Sequence, residues 1–100
     1  MIGSNIVSIG KNTFAGCSKV TSISIGKNVT EIGKNAFANC KNLEIIIIKS
    51  KKLTSQNIAE GAFRNISNDT AIEVPKSKYK AYKKLFRAKS LKKDVEIRKN

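Results

Sequence analysis

The sequence predicts an α/β repeat solenoid, because one short pattern of apolar residues occurs three times. The stretch 36–48 has a counterpart 23 residues earlier and a weaker counterpart 26 residues later. Self-similarity at a fixed period of roughly 20–50 residues is typical of solenoids and other repeat arrays. An amphipathic segment after the last copy predicts a capping helix. The matched apolar positions are Phe14, Phe37 and Phe63; Cys17, Cys40 and Ile66; Val20 and Leu43; Ile23, Ile46 and Ile72; and Ile25, Ile48 and Val74.

Each copy is predicted to contribute one short strand to a parallel ladder, because apolar and other residues alternate within it. These principal strands are predicted over residues 20–25, 43–48 and 71–74. A second, weaker ladder is predicted from shorter alternating runs at 6–10, 29–33 and 56–60. The match between copies places the following side chains on the outward face of the principal ladder: Ser22, Ser24, Ile45, Ile47, Ala71 and Glu73.

The segments between strands are predicted to be tight turns. Asn12 and Asn35 follow Gly-Lys pairs, and Asn or Gly in such places readily adopts a positive φ. The segment from each Phe to the following Cys is predicted as a short helical or 3₁₀ turn with the ring pointing inward. Residues 49–55 carry the three extra residues that lengthen the second spacing, and insertions in repeats map to loops.

The C-terminal quarter is predicted to cap the repeats. Residues 76–91 read as an amphipathic helix, with Tyr79, Tyr82, Leu85 and Phe86 on one face. That face should pack on the open end of the last repeat. The alternating residues 94–98 are compatible with a final short strand. We therefore divide the chain into repeats over 1–75, of which there are about three with the first incomplete, and a basic cap over 76–100.

The residue types give no sign of an enzyme or of a cofactor or metal site. The chain has no histidine, which is the commonest general base and metal ligand. Its few carboxylates are scattered, and it has no Gly-rich phosphate loop. Cys17 and Cys40 stand at equivalent positions one repeat apart, so we expect two buried free thiols that act as small apolar groups. The prediction is a protein without catalytic residues, metal or cofactor.

The stretch 30–48 resembles the BspA-like leucine-rich repeats, whose treponemal type has a period near 23. Its Ile32-Gly33, Ala36-Phe37, Cys40 and Leu43 fall at the family's pattern positions, and residues 7–29 fit with Val20 for Leu. The resemblance covers about residues 6–86 and includes the ending Ile72-Glu73-Val74-Pro75 before a Tyr-containing helix. It implies a leucine-rich-repeat-like right-handed coil from a cell-surface or secreted protein that binds host or other cell-surface proteins. It carries over no catalytic residues.

The primary functional hypothesis is a protein-binding or adhesion module that uses the outward strand face, at Ser22, Ser24, Ile45, Ile47 and Glu73. Outward isoleucines beside outward serines form an apolar patch, and such patches mark contact sites. The alternative for this patch is that the loop over residues 49–57 covers it. An open N-terminal coil would also present an unpaired edge for self-association.

The charge supports two other hypotheses. The net charge is +13, and eleven of the twenty Lys and Arg residues lie in the last 25 positions. Such a tail is typical of polyanion binding, to glycan or nucleic acid, or simply of a solubilising surface. The residues proposed for polyanion binding are Lys76, Lys80, Lys83, Lys84 and Arg87. The third hypothesis is a structural end-piece that only caps a longer array.

The sequence contains no apolar stretch long enough for a membrane span. Its first residues lack the basic and apolar regions of a signal peptide. The chain begins inside a repeat, which is compatible with a fragment of a longer secreted protein.

Overall fold

A computed structural model describes residues 6–89, 91 and 95–99 of the chain. The elements follow the order that the repeat pattern predicts, with one helix after the last repeat strand. In chain order they are β1 (Ser8–Ile9), β2 (Ser22–Ile25), β3 (Glu31–Ile32), β4 (Ile45–Ile48), β5 (Ala71–Val74), a 3₁₀ turn (Lys76–Lys78), α1 (Tyr79–Ala88) and β6 (Glu96–Lys99).

The principal strands form a four-stranded parallel sheet in the order β2-β4-β5-β6. Ile23 pairs with Ile46, and Ile46 pairs with Ile72, so the spacings of 23 and 26 residues set the register. β2 and β4 begin two residues later than predicted. The N–H groups of Val20 and Leu43 close turns onto the carbonyls of the preceding cysteines and are therefore not part of the ladder.

The second ladder is present as a separate two-stranded parallel sheet of β1 and β3. The third repeat adds a single bridge between Ile32 and Ile58. This reduced pairing agrees with the degenerate sequence of the third copy, since terminal repeats of an array are commonly atypical.

The segments that carry the phenylalanines are hydrogen-bonded turns and not the predicted helical turns. Each is bounded by two residues with a left-handed backbone, and a residue in that conformation ends a helix. The first bounding position is occupied by Asn12, Asn35 and Gly61, and the second by Gly16, Asn39 and Asn65, with φ between 57° and 74°.

Successive turns also hydrogen-bond to one another through their backbones. The N–H of Phe14 donates to the carbonyl of Ala36, and that of Phe37 donates to the carbonyl of Ala62, both at 2.8 Å. This alignment stacks the rings. Phe14 and Phe37 have ring centroids 5.5 Å apart and an angle of 3° between planes, and Phe37 and Phe63 are 5.5 Å apart at 10°.

The helix closes the end of this stack, although it is shorter than the predicted span of 76–91. Phe86 meets Phe63 edge-on, with centroids 5.3 Å apart and an interplanar angle of 67°. Tyr82 and Phe86 are buried, while Tyr79 and Leu85 pack partly buried against the core. The helix ends at Ala88 because the carbonyl of Phe86 accepts hydrogen bonds from the N–H groups of Lys89 and Leu91.

The final strand is present and pairs in parallel with β5, from Ala71 beside Glu96 to Val74 beside Lys99. The first residue of the predicted alternating run, Asp94, lies outside the described residues. Ala71 lies in the outward row with Ile45 and Glu96, as predicted, but it is buried there.

Both cysteines are free thiols, but only Cys40 is fully buried, and Cys17 is half-buried. The Cys40 thiol donates to the Phe14 carbonyl at 3.0 Å. Cys17 belongs to the first described repeat, so fewer residues cover it.

No helix in the described part of the chain has the length and apolar character to cross a membrane.

Replacing Phe37 tests the ring stack. Phe37 is flanked by two rings and is fully buried, so Phe37→Ala should lower the free energy of unfolding by about 3–5 kcal/mol. Phe14→Ala is the matched control. It removes the same ring from the half-buried end of the stack and should cost about half as much. Chemical denaturation followed by circular dichroism measures both free energies of unfolding. Equal losses of stability in the two variants would contradict the idea that the middle of the ring stack contributes most to stability.

Gly33 tests how closely the second ladder packs. A Cβ added at Gly33 would lie 2.6 Å from the backbone nitrogen of Lys11 and 2.7 Å from the carbonyl carbon of Gly10. Gly33→Ala should therefore destabilise the protein by about 2–3 kcal/mol, because backbone must move. At the equivalent position of the preceding repeat, Gly10→Ala meets only the Thr13 hydroxyl, at 3.2 Å. It should cost less than about 1 kcal/mol, and a larger loss there than at Gly33 would show that crowding is not the cause.

Candidate functional site

The five predicted contact residues lie together on one face of the four-stranded sheet, which we call the outer sheet face. Ser22 and Ser24 come from β2, Ile45 and Ile47 from β4, and Glu73 from β5. Ser22 stands beside Ile45, and Ser24, Ile47 and Glu73 form one row across three strands. Neighbouring strands are about 4.8 Å apart, so these side chains form one continuous surface.

The outer sheet face has an apolar centre with polar edges. Ser22 is exposed, whereas Ser24, Ile45, Ile47 and Glu73 are half-buried. β6 extends the face with Glu96 and Arg98, which pair with each other at 3.2 Å and stand beside Ala71 and Glu73. The sequence analysis did not include this pair. Its position depends on which strand β6 joins, and the alternation of residues 94–98 does not specify that neighbour.

The loop after β4 is anchored toward α1, and it leaves Ile45 and Ile47 partly exposed. The buried Ser50 hydroxyl donates to the carbonyl of Val29 at 2.5 Å. Tyr82 of α1 donates its hydroxyl proton to the Ser50 carbonyl at 2.8 Å and accepts the N–H of Leu53 at 3.1 Å. These bonds hold residues 50–53 between the repeats and the helix.

The residues predicted for polyanion binding lie on the cap, but they are not equivalent. Lys76, Lys80, Lys83 and Lys84 are exposed. Arg87 is half-buried, and its guanidinium donates to the Val95 carbonyl at 2.8 Å. Arg87 therefore joins α1 to the segment before β6, and this structural contact accounts for it.

Tyr79 carries two cations over its ring. The ammonium of Lys83 lies 5.6 Å from the ring centroid, and that of Lys99 on β6 lies 5.1 Å away. Cation–π contacts occur within about 6 Å. Tyr79 is thus part of the cap packing and holds α1 near β6.

A second group of lysines forms a cavity that the sequence analysis did not predict. Lys27, Asn28, Lys49, Lys51 and Lys52 line a cavity of about 430 Å³ beyond the ends of β2 and β4, which we call the basic cavity. The sequence could have predicted this cluster, because parallel strands in register end at the same edge of a sheet, and lysines follow both strands. The comparison of repeats missed it because these lysines do not occupy matched positions in the two repeats.

The described residues contain no group of three or more His, Cys, Asp or Glu side chains arranged to hold a metal ion. Burial raises the pKa of the Cys40 thiol, and a hydrogen bond with the Cys17 backbone lowers it by a smaller amount. A raised pKa keeps the thiol protonated at neutral pH, and only the thiolate is a nucleophile.

Repeated strand-and-turn units whose backbones pair in parallel define this chain as a repeat protein. A family model described as "BspA type Leucine rich repeat region (6 copies)" matches residues 1–100. The chain belongs to the BspA-type leucine-rich repeat family. No curated protein and no solved structure was found to match it. The family is generally one of protein-binding repeats, commonly of surface or secreted proteins, and is typically non-enzymatic.

The Tyr82 hydroxyl is expected to contribute to stability in a pH-dependent way. Tyr82→Phe removes one donor and one acceptor from buried partners and should cost about 1–3 kcal/mol at neutral pH. Burial raises the pKa of the Tyr82 phenol, while its hydrogen bonds with Leu53 and Ser50 lower it less. The folded state thus binds this proton more tightly than the unfolded state, whose phenol titrates near pH 10.

The contribution of the Tyr82 hydroxyl should therefore be complete below about pH 10 and be lost as the pH rises through the raised pKa. Denaturation of the wild type and of Tyr82→Phe at about pH 8 and about pH 11 measures the difference. Tyr79→Phe is the control, because it removes the same hydroxyl from a half-buried ring that contacts lysines. A difference between wild type and Tyr82→Phe that stays constant with pH would contradict the expectation.

Proposed function

We propose that this chain is a non-enzymatic protein-binding or adhesion module of a cell-surface or secreted leucine-rich repeat protein. In this proposal residues 1–75 are the repeats of a right-handed solenoid, and residues 76–100 are its cap. Membership in the BspA-type family supports the class. The observation that carries the binding site is the pair Ile45 and Ile47, half-buried at the centre of the outer sheet face.

The arrangement of this face is typical of protein interfaces. Such interfaces have an apolar centre that becomes fully buried on binding and a polar rim. Ile45 and Ile47 would form the centre. Ser22, Ser24 and Glu73 would form the rim, and the Glu96–Arg98 pair extends it. The hydrogen-bonded backbone beneath the face is fixed before binding, so the complex would not require ordering of the surface.

The mechanism is surface complementarity without covalent chemistry. A partner that covers the two isoleucines removes their remaining apolar area from water, which is favourable by about 25 cal/mol per Å². Orientation would be set by the rim, where hydroxyls and one carboxylate offer hydrogen bonds. The proposed partner is a folded protein of a host or of another cell surface, which meets the sheet face as a rigid body.

Replacing the two central isoleucines of the outer sheet face with serine, the residue at the matched positions of β2, tests this site. In Ile45→Ser with Ile47→Ser, every outward position of β2 and β4 becomes serine. We expect binding to purified extracellular-matrix and plasma proteins, measured by biolayer interferometry, to weaken at least about tenfold, since two central contacts of about 1 kcal/mol each are lost.

A matched variant controls for loss of apolar surface in general. Ile6 and Val7 are the exposed large apolar residues of the described chain, at 43% and 55% exposure. Ile6→Ser with Val7→Ser removes similar groups away from the outer sheet face and should leave affinity unchanged. Circular dichroism verifies that both double variants fold. Unchanged binding by the Ile45 and Ile47 variant would reject this site, and equal loss in both would indicate non-specific adhesion.

Three contacts join residues 76–100 to the repeats. Phe86 covers the last ring of the phenylalanine stack, β6 pairs with the last repeat strand, and Tyr82 fixes the loop after β4. We propose that residues 76–100 primarily terminate the array. The exposed lysines on α1 are then the second candidate site, for polyanion binding, with Arg87 excluded because it contacts Val95.

A further inference from the structure

The basic cavity gathers positive charge from two consecutive repeats. β2 and β4 run in parallel register and end side by side at Ile25 and Ile48. Lys27 follows the first strand, and Lys49, Lys51 and Lys52 follow the second. All four are exposed, and together with Asn28 they line the cavity of about 430 Å³.

These four lysines have no carboxylate within ion-pair distance among the described residues. The ion pairs of the described chain are Lys89 with Glu60 and Arg98 with Glu96, and neither pair lies in this cavity. A concave surface with like charges and low-dielectric walls concentrates counter-ions and raises their rate of association. Mutual repulsion of the ammonium groups is relieved when an anion enters.

The backbone that presents Lys49 and Lys52 is fixed by hydrogen bonds. The N–H of Lys49 donates to the Ile25 carbonyl at 2.9 Å, and the N–H of Lys52 donates to the Ser50 hydroxyl at 3.1 Å. Ser50 itself is fully buried and bonds to Val29 and to Tyr82. The lysine stems therefore emerge from an ordered loop, which reduces the ordering that a ligand must cause.

The lining chemistry discriminates between classes of polyanion. Sites for single-stranded nucleic acid combine positive charge with aromatic rings on which bases stack. None of the five lining residues is aromatic. Arg holds carboxylates and phosphates through a two-pronged guanidinium, whereas Lys acts as a point charge that requires no such fixed geometry of the anion. A lysine-only site without rings fits sulfate groups carried on a chain that has no bases.

We propose that the basic cavity binds the sulfate groups of an anionic glycan. This site is separate from the outer sheet face, and it is also separate from the lysines of α1. It goes beyond protein binding, since the chain could hold a sulfated glycan at the strand ends while a protein occupies the sheet face. Failure of either site would leave the other intact.

The test compares two double variants with the same change in charge. Lys27→Ser with Lys51→Ser removes one lysine from each loop of the basic cavity. Lys80→Ser with Lys84→Ser removes two exposed lysines from α1. Binding of a size-defined heparin oligosaccharide is measured by isothermal titration calorimetry at about 0.15 M salt, where the Debye length is about 8 Å. Distant charges are largely screened under this condition.

We expect the cavity variant to bind about tenfold more weakly and the helix variant to change less than about twofold, because only contacting lysines keep their effect in salt. Both variants should unfold at the wild-type denaturant concentration, since all four side chains are exposed. Chemically desulfated heparin of the same length should bind the wild type about as weakly as the sulfated chain binds the cavity variant.

Three outcomes would overturn the proposal. Equal weakening in both variants would show that net charge, and not the cavity, attracts the glycan. A single-stranded oligonucleotide of matched charge that displaces the heparin chain as well as unlabelled heparin does would show that sulfate is not selected. Retention of full affinity by the cavity variant would place glycan binding elsewhere.

Discussion

Hydrogen bonding between successive repeats is the constraint on which the rest of this structure depends. Each repeat leaves backbone groups open on its sides, and the next repeat satisfies them at the sheet, at the second ladder and at the phenylalanine turns. Buried backbone groups without partners are costly, so the turns of neighbouring repeats must have the same shape. This requirement explains why Asn or Gly occupies both left-handed positions in every turn, from Asn12 to Asn65.

The same constraint leaves the last repeat with open backbone groups and an uncovered core, and the cap satisfies both. β5 would have an unpaired edge, and Phe63 would have an uncovered face, if the chain stopped at Val74. β6 pairs with β5, and Phe86 covers Phe63 edge-on because it comes from a helix and does not repeat the turn geometry. The third repeat can therefore depart from the pattern, with one bridge in its second ladder, because the cap supplies packing that a further repeat would otherwise provide.

The period predicted most of this fold, because equal spacing along the chain becomes register in a parallel sheet. Ile23, Ile46 and Ile72 could be aligned by eye and are in fact neighbours. Properties that depend on contacts outside the repeat could not be predicted from the period. The pattern did not predict the burial of Ala71 beside β6 or the length of α1. It placed the outward face correctly. Whether the loop after β4 covers Ile45 and Ile47 depends on hydrogen bonds of Ser50 and Tyr82, which the repeat pattern does not contain.

Function in such an array should reside where the repeats differ, because the inward positions are constrained by stacking. The inward row Ile23, Ile46 and Ile72 does not vary, whereas the adjacent outward row changes from Ser24 to Ile47 to Glu73. The loop after β4 differs even more, since it carries the insertion and three lysines. Pairing of the strands does not require these differences between repeats. The loop is nevertheless held in place by buried hydrogen bonds of Ser50 and Tyr82. Such anchoring of a charged loop that differs from its counterpart in the preceding repeat supports the proposed recognition at the strand ends.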